Sequence, residues 1–154
     1  MKIVDISKSI ININSLKQKI PMFVGMAHKL PFKDSFFKYI VSSHSCYYLD
    51  DDCSFNDNLI EISRTLKKNG FFICTIPKVS NYYIKGSKKL KKNEYLIKKD
   101  YLKIRNNYRL FAPKTKKDLI NIFSKYFKTI NIELLENDYF GIKESMFIVV
   151  CKKK

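Results

Sequence analysis

The chain has 154 residues, 45% hydrophobic and 14% aromatic, which suits one globular domain with a sizeable core and excludes a disordered chain. Four glycines and four prolines exclude a linker-rich or collagen-like chain, and no apolar run approaches the roughly 18 residues of a membrane-spanning helix. The net charge of +16 is local: Lys78 to Lys117 holds fourteen Lys or Arg against Glu94 and Asp100, a net +12, leaving +4 for everything else.

Lys2 to Ile6 is the first strand signal, and Ser7 can cap a helix over about 8–17, with Ile10, Ile13 and Leu16 at helical spacing. Asp5, Ser7, Lys8 and Ser9 interrupt any signal-peptide core, so a cytoplasmic protein without membrane contact is expected. Pro21 leads into a short strand, Met22 to Val24, ended by Gly25. After a loop at Leu30 to Phe32 and a turn at Lys33 to Ser35, Phe37 to Ser42 reads as a strand covered on both faces.

An acidic turn, Asp50 to Asp52, precedes a helix over 55–66 with Leu59, Ile62 and Leu66 on one face. Lys67 to Gly70 supplies basic residues and a glycine stop, and Phe71 to Ile76 is the next apolar strand, closed by Pro77. This alternation predicts an α/β fold with a mostly parallel sheet and helices on both faces. Residues 78–110 have no clean period; they are basic, carry five tyrosines and suggest some helix over 94–104. A helix from Pro113–Thr115 to about Tyr126, a strand over 129–135, a turn over 137–141 and a strand over 145–151 complete the chain, the last two strands as an antiparallel hairpin.

The cysteines, Cys46, Cys53, Cys74 and Cys151, form no CxxC pair and read as reduced structural thiols. His44, Cys46 and Cys53 are the only residues close enough to suggest a metal, a fourth ligand is not obvious, and no metal is expected.

Five segments in register carry a family resemblance: Val4-Asp5-Ile6-Ser7; Val24-Gly25-Met26-Ala27 through Leu30-Pro31-Phe32; Phe37 to His44; Leu59 to Gly70; and Thr75-Ile76-Pro77. Together they resemble the class I S-adenosylmethionine-dependent methyltransferases of the type 11 group, over residues 3–77. The resemblance implies a single Rossmann-like methyltransferase domain over residues 1–154, with 78–110 as a basic, tyrosine-rich substrate lid, and S-adenosylmethionine as the cofactor.

The resemblance assigns roles residue by residue. Asp5 matches the acid that accepts hydrogen bonds from the cofactor's ribose, a simple strand-end aspartate being the plain alternative. Ile6 would pack on adenine, and the Met26-Ala27 turn matches the loop at the adenine edge. Ser42, Ser43 and His44 would face the sulfonium and a small-molecule acceptor. His44 is a candidate base and equally a structural histidine.

The sequence also departs from the pattern. Met26 stands where an acid is usual, Lys38 where the family has Phe-Asp, and Lys68-Asn69-Gly70 where it has Pro-Gly-Gly. No G-x-G pair exists: the glycines are Gly25, Gly70, Gly86 and Gly141. The family's glycine-rich loop and the strand before it are therefore unmatched, and the resemblance implies an N-terminally truncated domain, with inactivity of this chain alone as an open alternative. That strand would lie between those matched by Lys2–Ile6 and Phe37–Ser42. Its absence requires re-pairing of the sheet, an incomplete copy of a longer protein, or an oligomer or strand-donating partner.

Two other roles compete with methyl transfer. Lysines interleaved with tyrosines over 78–117 can hold RNA or another polyanion on a non-catalytic module. Arg, preferred for phosphate and base contacts, is scarce at three residues against 27 Lys, so nucleic acid is not favoured. The chain could also serve as a partner subunit.

Overall fold

Four apolar runs become the strands of the main sheet in the computed structural model, which describes residues 2–5 and 21–154, Ile3 and Asp5 as backbone alone. A small parallel pair comes first: β1 (Ile3–Asp5) and β2 (Met22–Val24), in register from Ile3 opposite Met22 to Asp5 opposite Val24. The helix expected over 8–17 lies outside the described residues.

The larger sheet runs in the order β3 (Phe37–Ser42), β5 (Leu66–Pro77), β10 (Ile142–Lys153), β9 (Phe127–Tyr139). β3 is parallel to β5, and β10 is antiparallel to both β5 and β9. The α/β architecture and the closing hairpin are as the sequence indicates. A second, antiparallel sheet orders β4 (Tyr48–Leu49), β8 (Arg109–Phe111), β7 (Glu94–Leu96) and β6 (Lys88–Lys91). It gathers the basic segment, and strand β7 with its following turns replaces the helix suggested over 94–104.

Both described helices are capped. In α1 (Phe55–Thr65), the Ser54 amide and hydroxyl each donate to the Asp57 carboxylate, at 2.8 and 2.7 Å. In α2 (Lys116–Phe123), Asp118 accepts from the Thr115 amide while the Thr115 hydroxyl accepts from the Asp118 amide. These bonds hold the carboxyls of Asp57 and Asp118 below the usual aspartate range. Helix α1 stops at Thr65, and the expected basic stop, Lys67 to Gly70, is already strand. Asn69 adopts φ +61°, and a Cβ on Gly70 would meet the Lys38 and Lys67 carbonyl oxygens at 2.9 Å. The two residues thus bend β5 away from the helix and close against β3.

The core lies on one face of the larger sheet. Phe72 of β5 stacks on Phe123 of α2, which also contacts Phe127 of β9, and Phe55 of α1 stacks on Phe111 of β8 at 4.1 Å. Phe72, Cys74 and Ile76 are buried under the helices with Leu59, Ile62 and Leu119. The alternate residues Phe71, Ile73 and Thr75 face the other way and are only half-buried.

Candidate functional site

Parallel strands end on the same side of their sheet: β1 and β2 end at Asp5 and Val24 in the small pair, and β3 and β5 at Ser42 and Pro77 in the larger sheet. Antiparallel β10 brings its first residues to that side, because Met146 pairs with Pro77. The loops that follow these strands form the candidate site.

His44 lies in the loop that follows β3. The residue adopts φ +54°, a left-handed conformation open to only a few non-glycine residues. Its amide donates to the Thr75 hydroxyl of β5 at 2.8 Å. Its ring is shared: Nδ1 is 3.0 Å from the Ser43 hydroxyl, and Nε2 is 3.4 Å from the Glu144 carboxylate. Glu144 is buried and His44 half-buried, so the carboxylate can orient an imidazole whose edge still meets solvent. With one ring nitrogen beside a hydroxyl and the other beside a carboxylate, His44 can accept or relay a proton.

The Met26 turn is clamped from the helix side. Lys29 donates back to the Met26 carbonyl, and Gly25 admits no side chain, since a Cβ would lie 2.8 Å from Pro31 Cδ and 3.0 Å from Val4 Cγ1. Glu61 of α1 accepts the Leu30 amide at 2.8 Å, and Arg64 donates to the Phe32 carbonyl at 2.8 Å and to Asp34 at 2.5 Å. Beside this turn opens an apolar cavity of about 340 Å³ lined by Val24, Gly25, Met26, Lys29, Leu30 and Pro31.

Tyr47, Tyr82, Tyr83 and Arg105 form a separate aromatic and cationic cluster. The Tyr47 and Tyr83 hydroxyls meet at 3.3 Å inside the core, and the Arg105 guanidinium lies 4.4 Å over the Tyr83 ring. Arg105 also donates to Tyr82 and pairs with the fully buried Asp100. Burial pushes the Tyr47 and Tyr83 phenols far above their ordinary range.

The expected site residues fall as follows. Asp5 occupies the last position of β1, Ile6 lies outside the described residues, and Met26 and Ala27 form the turn. Ser42 is buried, its hydroxyl engaged by Ser45 at 2.7 Å and by the Cys46 amide at 2.9 Å, so it shapes the loop rather than its surface. Ser43 and His44 are together. Glu144 and Thr75 were not apparent, because each reaches His44 from a distant part of the chain. The Glu61–Arg64 pair was missed as well; its i, i+3 spacing is a signal that could have found it, though not its target loop. Among the described residues no group of three His, Cys, Asp or Glu could hold a metal ion. No helix among them is long and apolar enough to cross a membrane.

A search of curated proteins finds no match. Solved structures match extensively. An S-adenosylmethionine-dependent methyltransferase from Methanosarcina mazei is similar over 99% of this chain and 81% of its own, with TM-score 0.74 and 16% identity. The N-methyltransferase NodS from Bradyrhizobium japonicum, solved with S-adenosyl-L-homocysteine, is similar over 99% and 65%, with TM-score 0.64 and 12% identity. A Haloferax volcanii protein solved in complex with the Trm112 methyltransferase activator is similar over 99% and 71%, with TM-score 0.68 and 14% identity. At these identities the likeness is one of fold. The methyltransferase domain family matches residues 2–74, the segment that supplies β1, β2, β3, β4, α1 and most of β5. The chain has the fold of the class I S-adenosylmethionine-dependent methyltransferases, and the methyltransferase domain family is similar to its residues 2–74.

Proposed function

We propose that this protein binds S-adenosylmethionine across the ends of β1, β2 and β3 and carries a methyltransferase site for a small-molecule acceptor at His44. The observation that carries the reading is the convergence of His44, Thr75 and Glu144 at one end of the larger sheet. The residues present suit the nucleoside half of the cofactor. An acid ends β1 where two ribose hydroxyls can be accepted, and the apolar cavity beside Met26 suits a flat ring. For the methionine half, no Gly-x-Gly loop exists in the sequence.

When bound, the cofactor supplies an electrophilic methyl group. The protein's part is positioning and proton removal. Glu144 orients the His44 ring, and His44 takes the proton an acceptor loses on methylation. The lid role falls to 78–110, the segment that carries Tyr82 and Arg105.

Calorimetry with S-adenosylmethionine tests the reading. Binding is expected for the wild type and at least tenfold weaker binding for Asp5→Asn. Equal affinity of the two proteins would remove Asp5 from the site, and absence of heat at millimolar cofactor would overturn cofactor binding.

A second reading rests on the exposed basic surface. Lys88, Lys89, Lys91 and Lys92 are solvent-exposed on and after β6, and Tyr101 and Tyr108 are exposed nearby in the chain. This surface suits a polyanion such as single-stranded RNA. Binding should then weaken steeply between about 50 and 200 mM salt, and retention indifferent to salt would reject it.

A further inference from the structure

The connection from β7 to β8 is a loop pinned at its neck, and over residues 98–107 only Asp100 and Arg105 are not exposed. At the neck, the Ile97 amide donates to the Tyr108 carbonyl at 2.9 Å and the Asn107 amide donates to the Ile97 carbonyl at 2.8 Å. A compact loop with adjoining ends is packed by its own groups. Asp100 is the internal post here. Its carboxylate accepts the amides of Leu102, Ile104 and Arg105 at 3.3, 3.1 and 3.1 Å, and it pairs with the Arg105 guanidinium at 3.3 Å. Its own amide donates to the Asn106 side chain at 2.7 Å. Arg105 lies over the buried Tyr83 ring, which ties the loop to the core.

This frame presents apolar and basic side chains together. Tyr101, Leu102 and Ile104 are 75%, 50% and 62% exposed. Lys98, Lys99 and Lys103 stand exposed among them, while the one acid of the loop, Asp100, is buried against Arg105. Lys88 pairs with Leu96, where β7 gives way to the loop, so exposed Lys85 and Lys88 lie at the same end of the small sheet. The acidic turn Asp50–Asp52 reaches that end from the other edge, after β4 and across β8. The loop therefore has a basic flank on the β6 side and an acidic flank on the β4 side.

We propose that the 98–107 loop docks this protein on an anionic lipid surface, with Tyr101, Leu102 and Ile104 in the interfacial layer and the β6 flank toward the headgroups. The Asp100 carboxylate satisfies the amides behind the tip, so the tip can enter an apolar layer without stranding backbone donors. Tyrosine suits the boundary between water and acyl chains, and each lysine near an anionic membrane strengthens binding by about fivefold. Leucine and isoleucine favour lipid over nucleic acid, because bases stack on aromatic rings and gain no such platform from aliphatic side chains. Contact of this kind is peripheral and needs no spanning helix, so it departs from the absence of membrane contact expected from the sequence. It stands whether or not the chain binds the cofactor.

Vesicle sedimentation and fluorescence test it. Vesicles of phosphatidylcholine with one third phosphatidylserine should retain the wild type at about 0.1 M salt, and vesicles of phosphatidylcholine alone at least tenfold less. Tyr101→Ser with Ile104→Ser should weaken retention at least tenfold, with circular dichroism unchanged. The chain has no tryptophan, so Leu102→Trp supplies a single reporter. Its emission should move to the blue on the anionic vesicles and be quenched by brominated acyl chains. Ile120→Trp, at an exposed apolar position of α2, should show neither change. Three results would overturn the proposal: no retention on anionic vesicles, retention indifferent to the double serine variant, or a Leu102→Trp signal that answers to polyuridine RNA and not to vesicles.

Discussion

Glu61 and Arg64 stand one turn apart on α1 and meet through two N–H···O bonds of 2.7 Å each, while both reach across to the Leu30–Asp34 loop. The arrangement depends on the planar fork of arginine, which presents two donors to one carboxylate in parallel. The Arg64 guanidinium holds the Glu61 carboxyl below its usual range. A carboxyl depressed in the folded state contributes stability above its unfolded value of about 4.3, and that contribution disappears as pH falls through the folded value. Glu61→Gln should cost about 1–3 kcal/mol near neutral pH, and its melting temperature should converge on that of the wild type in acid. Thermal melts from about pH 7 down to pH 3 measure this; curves separated by a constant amount would contradict the pairing.

The buried tyrosines make the opposite pH statement. Tyr47 and Tyr83 have phenols raised by burial, so their neutral form is the one the fold accepts. Stability from this source is intact below the ordinary phenol value of about 10 and is lost as pH rises through the folded values. Of the ten tyrosines, at least these two should resist ionisation in the native protein beyond about pH 11 and ionise together on unfolding. Absorbance at the tyrosinate band reports it. Full ionisation of all ten with native circular dichroism would show that the pair is not enclosed.

The cysteines should separate by access. Cys46, Cys74 and Cys151 are buried, and the Cys151 thiol is pushed up to about 12 by burial. Cys53 is half-buried, and its thiol is raised by burial and by Asp50, Asp57 and Asp52. A thiol reagent at neutral pH should therefore label a single cysteine in the native protein, slowly, and all four after denaturation. Rapid native labelling of two or more would place a second thiol at the surface.

Gly25 and Gly86 provide a matched pair of substitutions. Gly25→Ala introduces a methyl group against Pro31 and Val4, and is expected to cost about 1–3 kcal/mol by displacing the Met26 turn. Gly86 has open space around it but φ +81°, so Gly86→Ala should cost only about 1 kcal/mol, through backbone strain. Denaturant titration ranks them, and the reverse order would mean that the Gly25 loop yields freely.

Much of the fold was legible because it is local. The strands around Ile40 and Phe72, the capped helices at Ser54 and Thr115, and the C-terminal hairpin each announce themselves through period or capping chemistry. The stretch Lys67 to Gly70 misled because basic residues before a glycine are the usual signature of a helix end. Pairing of Tyr39 with Phe71 extends the strand through it instead. Residues 94–104 misled for a related reason: β7 is an interior strand of only three residues, fixed by neighbours on both sides rather than by its own pattern. In the candidate site, Asp5, Met26, Ser43 and His44 could be named because they stand at strand ends within the family's segment. Glu144 is a hundred residues beyond His44, and no spacing rule connects them.

The position of β10 has a consequence for how the chain reaches its native state. β10 folds back on β9 through a turn at Phe140–Gly141, a contact available as soon as those residues exist. Its other edge pairs with β5, joining Pro77 to Met146 across 69 residues. The hairpin can thus form early, while the sheet closes only after a long loop has been ordered, and such non-local pairing slows folding into the millisecond-to-second range. Stopped-flow refolding should show this slow closure, and mutations in β9 that face the hairpin should affect it less than mutations in β5. During that interval the β5-facing edge of a nearly complete hairpin stays open to other chains, so refolding yield should fall as protein concentration rises.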